Sequence, residues 1–368
     1  MKSKKIHLLE YNSLSYFLVR STFVGISLNN LLTISKQDSW LAIIIAFIIG
    51  FIPLGIFYLI INNNSKENII DFIKNNCGNL IGTIINIIIT IFVFIFSALL
   101  LWNLVNFISS QYLYKTPNLA ILLTFIVTIY YLSSKSINVI GRTSLILFYI
   151  SISLFIFSFI GLFFNLDISN IKPTFEFGIL PIFKGSFNYI SYNVLSLFLL
   201  LIIPKDNINT TNKHLIKNTI IVYFITTLGL FFVTFFLLST YGISFSQILQ
   251  YPSYHILKRI SILSFIERVE SILSIQWILD LFMVIVIGIY FVKTSIRQTF
   301  KISNYKFITF ILIILLIPIT TNLFKNNTIG NIVVLKIFPF FNYLFFLIIP
   351  TIILIYVKIR KKNKDSIP

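Results

Sequence analysis

Charged residues are scarce in this sequence: Asp, Glu, Lys and Arg make up 11% of its 368 residues, compared with about 25% in soluble globular chains. Apolar residues make up 57%, and the mean hydropathy is +0.94. So few charges cannot cover the surface of two or three soluble domains. The sequence therefore predicts an all-α integral membrane protein, which excludes a soluble enzyme, a DNA-binding module and a secreted scaffold.

Cysteine, histidine and acidic residues are also rare. Cys77 is alone and the three histidines (His7, His214, His255) are scattered, so we expect no disulfide, metal site or iron–sulfur cluster. The eleven acidic residues lie almost entirely between apolar runs, and the sequence has no nucleophile elbow, P-loop or HExxH motif. We therefore expect no catalytic residue, no metal and no cofactor, and we interpret the chain as a non-enzyme.

Long apolar runs dominate what is present. A helix needs roughly 20 mostly apolar residues to cross a membrane, and about ten such runs can be counted. They form one polytopic membrane domain (1–368), whose transmembrane core covers 10–357. The runs lie near 10–32, 39–62, 79–107, 118–133, 143–165, 177–204, 215–240, 271–293, 305–324 and 334–357.

The net charge of +18 is explained by membrane topology. Nineteen Lys and Arg residues lie in segments that are cytoplasmic if the N-terminus is inside, and nine lie in the opposite loops. Cytoplasmic loops carry an excess of Lys and Arg. The pattern predicts a cytoplasmic N-terminus (1–9) and a basic cytoplasmic tail (358–368), and it needs no nucleic-acid partner.

Two segments between the runs have helical composition. In 66–77, the apolar residues fall on one helical face, which predicts a short helix at the inner membrane interface. In 253–270, the charges fall on no clean face, so we expect a helix that packs against protein. Its charged residues favour structural ion pairs over a binding site.

Two of the runs are interrupted by small and polar residues. The first contains STFVGIS at 21–27, and the sixth contains NYISYN at 188–193. Interrupted helices in corresponding positions indicate a midplane site in inverted-repeat transporters, and the N-terminus of a half-helix favours an anion such as an amino-acid carboxylate. Ordinary helix contacts through small residues are the alternative. The candidate ligand-binding residues are Thr22, Gly25, Ile26, Ser27, Asn188, Tyr189, Tyr192 and Asn193.

Two charges lie near the middle of the runs. Arg20 is midway along the first and Asp280 lies in the eighth, and a charge facing hydrocarbon costs on the order of 3 kcal/mol or more. We therefore expect that both face the protein interior, where they either pair with one another or line a polar cavity. A fixed stabilising pair and a role in coupling to ligand or ion remain open alternatives.

Five fragments, taken in order, resemble one known family. The sequence is similar to the spore germination permeases, the B-subunits of nutrient germinant receptors in the amino acid–polyamine–cation transporter superfamily, from about 25 to 300. The fragments are SKQDSW at 35–40, KTPN at 115–118, INVIGRTSLI at 137–146, IKPTFEFGILPIFKGS at 171–186 and YPSYHILKRISILSFIERVESILSIQW at 251–277.

The resemblance implies a core of two five-helix inverted repeats, with the first and sixth helices unwound around a ligand pocket. It also implies a larger A-subunit and a lipoprotein C-subunit as partners, in the inner membrane of a bacterial spore. The sequence departs from the family pattern at Asn193, where an acidic residue is frequent, and after Gly25, where a proline is usual. Arg20 and Asp280 match no family hallmark.

Two functions fit this architecture. In the first, the chain is a receptor subunit that binds a small nutrient, such as an amino acid, and signals to its partners. In the second, it is an ion-coupled amino-acid symporter working by alternating access. The fold does not decide between them, and the resemblance favours the receptor.

Overall fold

The computed structural model describes residues 5–63, 65–161, 166–258, 269–302, 304–323 and 327–365, and nearly all of them are helical. Within these ranges the strand structure is one parallel pair, in which Ile6–His7 lies beside Ile208–Asn209. Ten membrane-crossing segments, called spans 1 to 10, account for most of the rest.

The first five spans begin with an interrupted one. Spans 1 to 5 are Leu8–Arg20 with the π-helical Phe23–Ser27 and Leu28–Ser35; Ser39–Ile49 with Phe51–Asn63; Asn79–Gln111; Asn118–Ser133; and Ile137–Gly161.

Span 6, the first of the next five spans, is also interrupted. Spans 6 to 10 are Ile179–Tyr189 with the π-helical Ile190–Val194 and the 3₁₀-helical Leu195–Ile202; Asn212–Ser246; Val269–Phe300; Tyr305–Leu323; and Asn327–Asp365, within which Val333–Ile337 and Leu344–Ile348 are π-helical.

The count of ten agrees with the sequence prediction. Eight described segments are long and apolar enough to cross a membrane, but one of them, Leu8–Asn63, contains two spans. Its helix ends at Ser35, because Lys36 has φ 50° and ψ −131°. Asn118–Ser133 is shorter and completes the set.

Span 6 lies at the centre of the bundle. In the most apolar stretch of span 6, 94% of the residues are buried, compared with 22% in the corresponding stretch of span 5. Span 8 packs along span 3 and also contacts spans 1 and 5. The two interrupted spans therefore meet inside the protein, where neighbouring side chains can satisfy displaced backbone groups.

Side chains explain where span 6 leaves α-helical geometry. Ser191 Oγ donates to the Asn188 carbonyl at 2.7 Å, and Ser196 Oγ donates to the Asn193 carbonyl at 3.4 Å. Hydroxyls that bond nearby carbonyls compete with the helical ladder. Span 6 therefore changes from α through π to 3₁₀ geometry while remaining helical.

Two cations near the ends of the predicted apolar runs lie inside helices. Span 5 begins at Ile137, so Arg142 belongs to its first turns, where its Nε lies 3.8 Å from Glu10 Oε1. Span 8 continues to Phe300 and buries Lys293, whose Nζ donates to the Ser133 carbonyl and, at 3.2 Å, to the Lys135 carbonyl. Both cations therefore hold helix ends together.

The predicted interfacial helix is present as Ile69–Cys77, which begins after the N-cap Asn68. Its apolar residues are buried, and Asn86 of span 3 donates to the Ile70 carbonyl at 3.0 Å. The helix thus packs on the bundle with its apolar face inward. The second predicted helix is observed as Pro252–Lys258, and residues 259–268 of that prediction lie outside the described ranges.

Candidate ligand site

Side chains of span 6 bind the carbonyl groups just before the interruption of span 1. Asn193 Nδ2 donates to the Val19 carbonyl at 2.7 Å, and Ser196 Oγ donates to the Leu18 carbonyl at 2.8 Å. All four residues are buried. Each contact satisfies a carbonyl that would otherwise be costly to bury, so the two interrupted spans are joined at their breaks.

Spans 3 and 8 bind two further carbonyl groups in the same way. Trp277 Nε1 donates to the Ser21 carbonyl at 2.9 Å, and Asn103 Nδ2 donates to the Gly25 carbonyl at 3.3 Å. These two carbonyl groups of the break are therefore occupied by protein side chains in this conformation. We call these four contacts, two from span 6 and one each from spans 3 and 8, the carbonyl clasp.

Gly25 is required by the close approach of its neighbours. A Cβ at this position would lie 2.5 Å from Asn103 Oδ1 and 2.6 Å from Trp277 Cζ2. Contacts below 3 Å force the surrounding structure to move. Spans 3 and 8 therefore approach span 1 closely enough to bind its carbonyls only because position 25 has no side chain.

Several buried oxygens around the break have no hydrogen-bond partner among the described residues. Buried polar atoms normally have one, and leaving one unpaired costs about 1–3 kcal/mol. These oxygens give the break unused capacity for a polar ligand group. They are Ser21 Oγ, Thr22 Oγ1, Ser27 Oγ, Asn103 Oδ1 and Asn193 Oδ1.

The other predicted residues of span 6 contact spans 1 and 10. Asn188 Oδ1 accepts from Asn30 Nδ2 at 3.0 Å, and Tyr192 OH donates to the Val334 carbonyl at 2.6 Å. Tyr189 packs its ring edge-on to Phe23, with centroids 6.3 Å apart. Together these side chains bridge three helical elements.

A polar pocket of about 310 Å³ lies directly beyond the break. Of the predicted residues, Gly25 and Ile26 line it, whereas the other six do not. Its remaining lining comes from the C-terminal half of span 1, from 246–250 and from span 10. None of the described side chains that line it is charged, and the polar ones are Asn29, Asn30, Thr33, Ser246, Gln247, Gln250 and Asn331.

The amide residues of this pocket were missed by the sequence analysis, although two signals were visible. Asn29 and Asn30 follow Gly25 in an otherwise apolar run, and Gln247 and Gln250 follow the end of span 7. In the structure, Asn29 Nδ2 donates to the Gln250 carbonyl at 2.5 Å and Gln247 Nε2 donates to the Leu32 carbonyl at 2.6 Å. These bonds attach the segment that follows span 7 to the C-terminal half of span 1.

Arg20 and Asp280 form a buried pair, with Arg20 Nε 3.6 Å from Asp280 Oδ2. Ser151 Oγ donates to Asp280 Oδ1 at 2.7 Å, and Arg20 also donates to Tyr16 OH. The guanidinium lies 4.2 Å from the ring centroid of Phe155, a distance at which cations and aromatic faces attract. The pair links spans 1, 5 and 8 immediately before the break.

Comparisons with known proteins identify the family of this chain. A family model for spore permeases, described as "Spore germination protein", matches residues 13–329. Spore germination protein A2 of Bacillus subtilis (strain 168) is 24% identical over 283 residues, 73% of each chain. Spore germination protein XB of Bacillus anthracis is 24% identical over 287 residues, covering 78% of this chain and 79% of its own length.

The crystal structure of a mutant manganese transporter from Eremococcus coleocola is similar in fold. It has a TM-score of 0.65 at 11% identity and covers 94% of this chain and 78% of its own. The likeness shows the fold of this chain: a multi-pass membrane protein with a 5+5 inverted repeat and interrupted helices 1 and 6.

Proposed function

This chain belongs to the spore germination protein family, and we propose that it is the membrane subunit of a nutrient germinant receptor. In this proposal it binds a small nutrient beside the break of span 1 and triggers germination. An A-subunit and a lipoprotein C-subunit are its partners, in the inner membrane of the spore. The observation that carries the proposal is the polar pocket, which opens directly onto Gly25.

The lining of the pocket favours a solute with no net charge. Five amide side chains and two hydroxyls surround it, and none of the lining side chains that the structure describes is charged. Amides can both donate and accept hydrogen bonds, so they suit neutral amino acids, sugars or nucleosides. A solute with a net charge would lose its hydration without gaining an opposite charge from the pocket, and this desolvation is costly. Among the neutral candidates, we favour a zwitterionic amino acid.

Signalling follows from the contacts of the pocket. A ligand shifts a conformational equilibrium only if it binds one state more tightly than the other. Closing the pocket on a nutrient would move the outer half of span 1 toward span 10. Asn30 and Val334 line the pocket and are bonded to Asn188 and Tyr192, so the movement would reach span 6 directly.

Spores provide the direct test. Deleting the gene in the parent organism is expected to abolish dipicolinate release in response to one neutral nutrient, and the wild-type gene restores it. A gene that encodes Gly25→Leu is expected not to restore release, because even the Cβ of the leucine would clash with Asn103 and Trp277. Ala120→Leu, on an exposed face of span 4, is the matched control and restores release. A normal response from a Gly25→Leu chain that is inserted in the membrane contradicts the proposed site.

The symporter alternative is favoured by one observation, the carboxylate of Asp280 buried inside a span. In that case, proteoliposomes containing the chain accumulate a labelled neutral amino acid when a proton or sodium gradient is applied, and Asp280→Asn abolishes the accumulation. Binding without net uptake supports the receptor instead. Uptake that is unchanged in Asp280→Asn removes this residue from any coupling mechanism.

A further inference from the structure

A second cavity lies on the side of the bundle that faces the membrane. It is a groove of about 140 Å³ between residues 51–61 of span 2 and residues 215–220 of span 7, with Tyr11, Leu197 and Leu201 as its floor. Apart from two tyrosines and Thr219, every lining residue is apolar or glycine. The Thr219 hydroxyl donates to the Leu215 carbonyl at 2.9 Å, so it does not make the groove more polar.

Both ends of the groove are closed by contacts between spans 2 and 7. At one end, Asn212 Nδ2 donates to Asn62 Oδ1 at 2.5 Å. At the other, the rings of Phe51 and Tyr223 meet edge-on with centroids 5.8 Å apart. The stretch of span 2 between these ends rises about 15 Å. This is half of the roughly 30 Å hydrocarbon thickness, so the groove has the depth of one leaflet.

Two unpaired cations lie at the end where span 7 begins. Lys213 and Lys217 are exposed, and neither forms an ion pair with any residue that the structure describes. Lys213 precedes Ile216 by three residues and Lys217 precedes Ile220 by three, so both lysines share a helical face with lining residues of the groove. The positive-inside pattern places this end of span 7 in the cytoplasmic leaflet.

We propose that this groove binds one acyl chain of an anionic phospholipid of the cytoplasmic leaflet, with the phosphate of its headgroup held by Lys213 and Lys217. The apolar lining provides the site for the chain, and the lysines provide the preference for negative charge. The floor residues belong to the inner halves of spans 1 and 6. A bound lipid would therefore contact both interrupted spans on the side opposite the nutrient pocket.

Gly55 allows the chain-binding part to be tested alone. It lines the groove, and a Cβ added there would meet no atom within 4 Å. Gly55→Leu should therefore fill the groove without strain, whereas Gly55→Ala should leave most of it open. The headgroup part is tested by Lys213→Gln with Lys217→Gln. The matched control is Lys306→Gln with Lys358→Gln, which removes the same amount of charge from exposed positions of spans 9 and 10.

The measurement is the affinity of the purified full-length chain for phosphatidylglycerol and for phosphatidylcholine with the same acyl chains, by native mass spectrometry from detergent micelles. We expect phosphatidylglycerol to bind more tightly. Losing both lysines should weaken it about tenfold to thirtyfold, at roughly 1 kcal/mol for each cation. Gly55→Leu should lose the bound lipid, while Gly55→Ala and the Lys306/Lys358 control keep it.

Either of two results overturns the proposal: Gly55→Leu binds phosphatidylglycerol as the wild type does, or the Lys213/Lys217 variant keeps the wild-type affinity. Because the lysines lie on the surface, their replacement should not disturb folding. The Lys213/Lys217 variant therefore still tests the proposal if Gly55→Leu does not fold. Neither result depends on whether the chain responds to a nutrient.

Discussion

At the scale of single residues, the most informative contacts are those in which a side chain replaces a helical backbone bond. Trp277 is the clearest case, because its indole N–H donates to the Ser21 carbonyl while its ring packs edge-on to Phe107, with centroids 4.5 Å apart. Phenylalanine at position 277 would keep most of the ring packing and remove the donor.

Trp277→Phe is therefore expected to lower the free energy of unfolding by about 1–3 kcal/mol, the cost of an unpaired buried carbonyl. Trp40→Phe is the matched control, because the indole N–H of Trp40 is buried with no partner among the described residues. It should be neutral or slightly stabilising. Thermal unfolding of the purified chain in detergent measures both, and equal losses for the two variants would contradict the role assigned to Trp277.

The Arg20–Asp280 pair leads to a different prediction. Asp280→Asn leaves the Arg20 guanidinium buried without its counter-charge, and breaking a buried pair in this way costs about 3–5 kcal/mol. Arg20→Met combined with Asp280→Asn removes both charges and should recover much of that loss. Thermal unfolding measures the loss of stability in each variant. If the loss in the double variant equals the sum of the losses in Arg20→Met and Asp280→Asn, the two charges do not interact.

At the scale of whole elements, the bend in span 7 depends on one glycine. Gly242 has φ 65° and ψ 175° inside Asn212–Ser246, a backbone conformation that residues with a Cβ rarely adopt. The bend lies just before Ser246 and Gln247, which line the polar pocket. The position of these pocket residues therefore depends on the conformation of Gly242.

Gly242→Ala is expected to destabilise the chain by about 1–2 kcal/mol through backbone strain, and to weaken nutrient binding because it displaces the end of span 7. Gly55→Ala has ordinary helical surroundings and should be neutral or stabilising by up to about 1 kcal/mol. Unfolding temperature and nutrient binding by the same preparations test the two effects, and unchanged binding in Gly242→Ala would separate the bend from the pocket.

The number and type of spans were predictable, because each span is a separate run of apolar residues. The interruptions of spans 1 and 6 were also visible as local polar patches. The polar pocket was not predicted, because its amides come from spans 1, 7 and 10, and single-sequence periodicity does not report which distant elements meet. The contacts of Lys293 were not predicted either, because a cation at the end of an apolar run gives no sign that it binds carbonyls of another helix.

At the scale of the molecule, the orientation in the membrane can be tested directly. With cytoplasmic termini, the exposed Tyr114 lies on the outer side and the exposed Ser136 on the inner side. In a Cys77→Ser background, a membrane-impermeant maleimide should label Tyr114→Cys in intact cells. It should label Ser136→Cys only after permeabilisation. The reverse pattern would invert the topology and place the polar pocket on the cytoplasmic side.

The carbonyl clasp connects span 1 to spans 3, 6 and 8 around its break. If each of its four hydrogen bonds contributes about 1 kcal/mol and all must break together, the opened form has a population of roughly one in a thousand. In the proposed receptor, with the opened form as the signalling state, so low a population would limit germination in the absence of a nutrient. Replacing one donor of the clasp should therefore produce spores that germinate in buffer without nutrient more often than wild-type spores do.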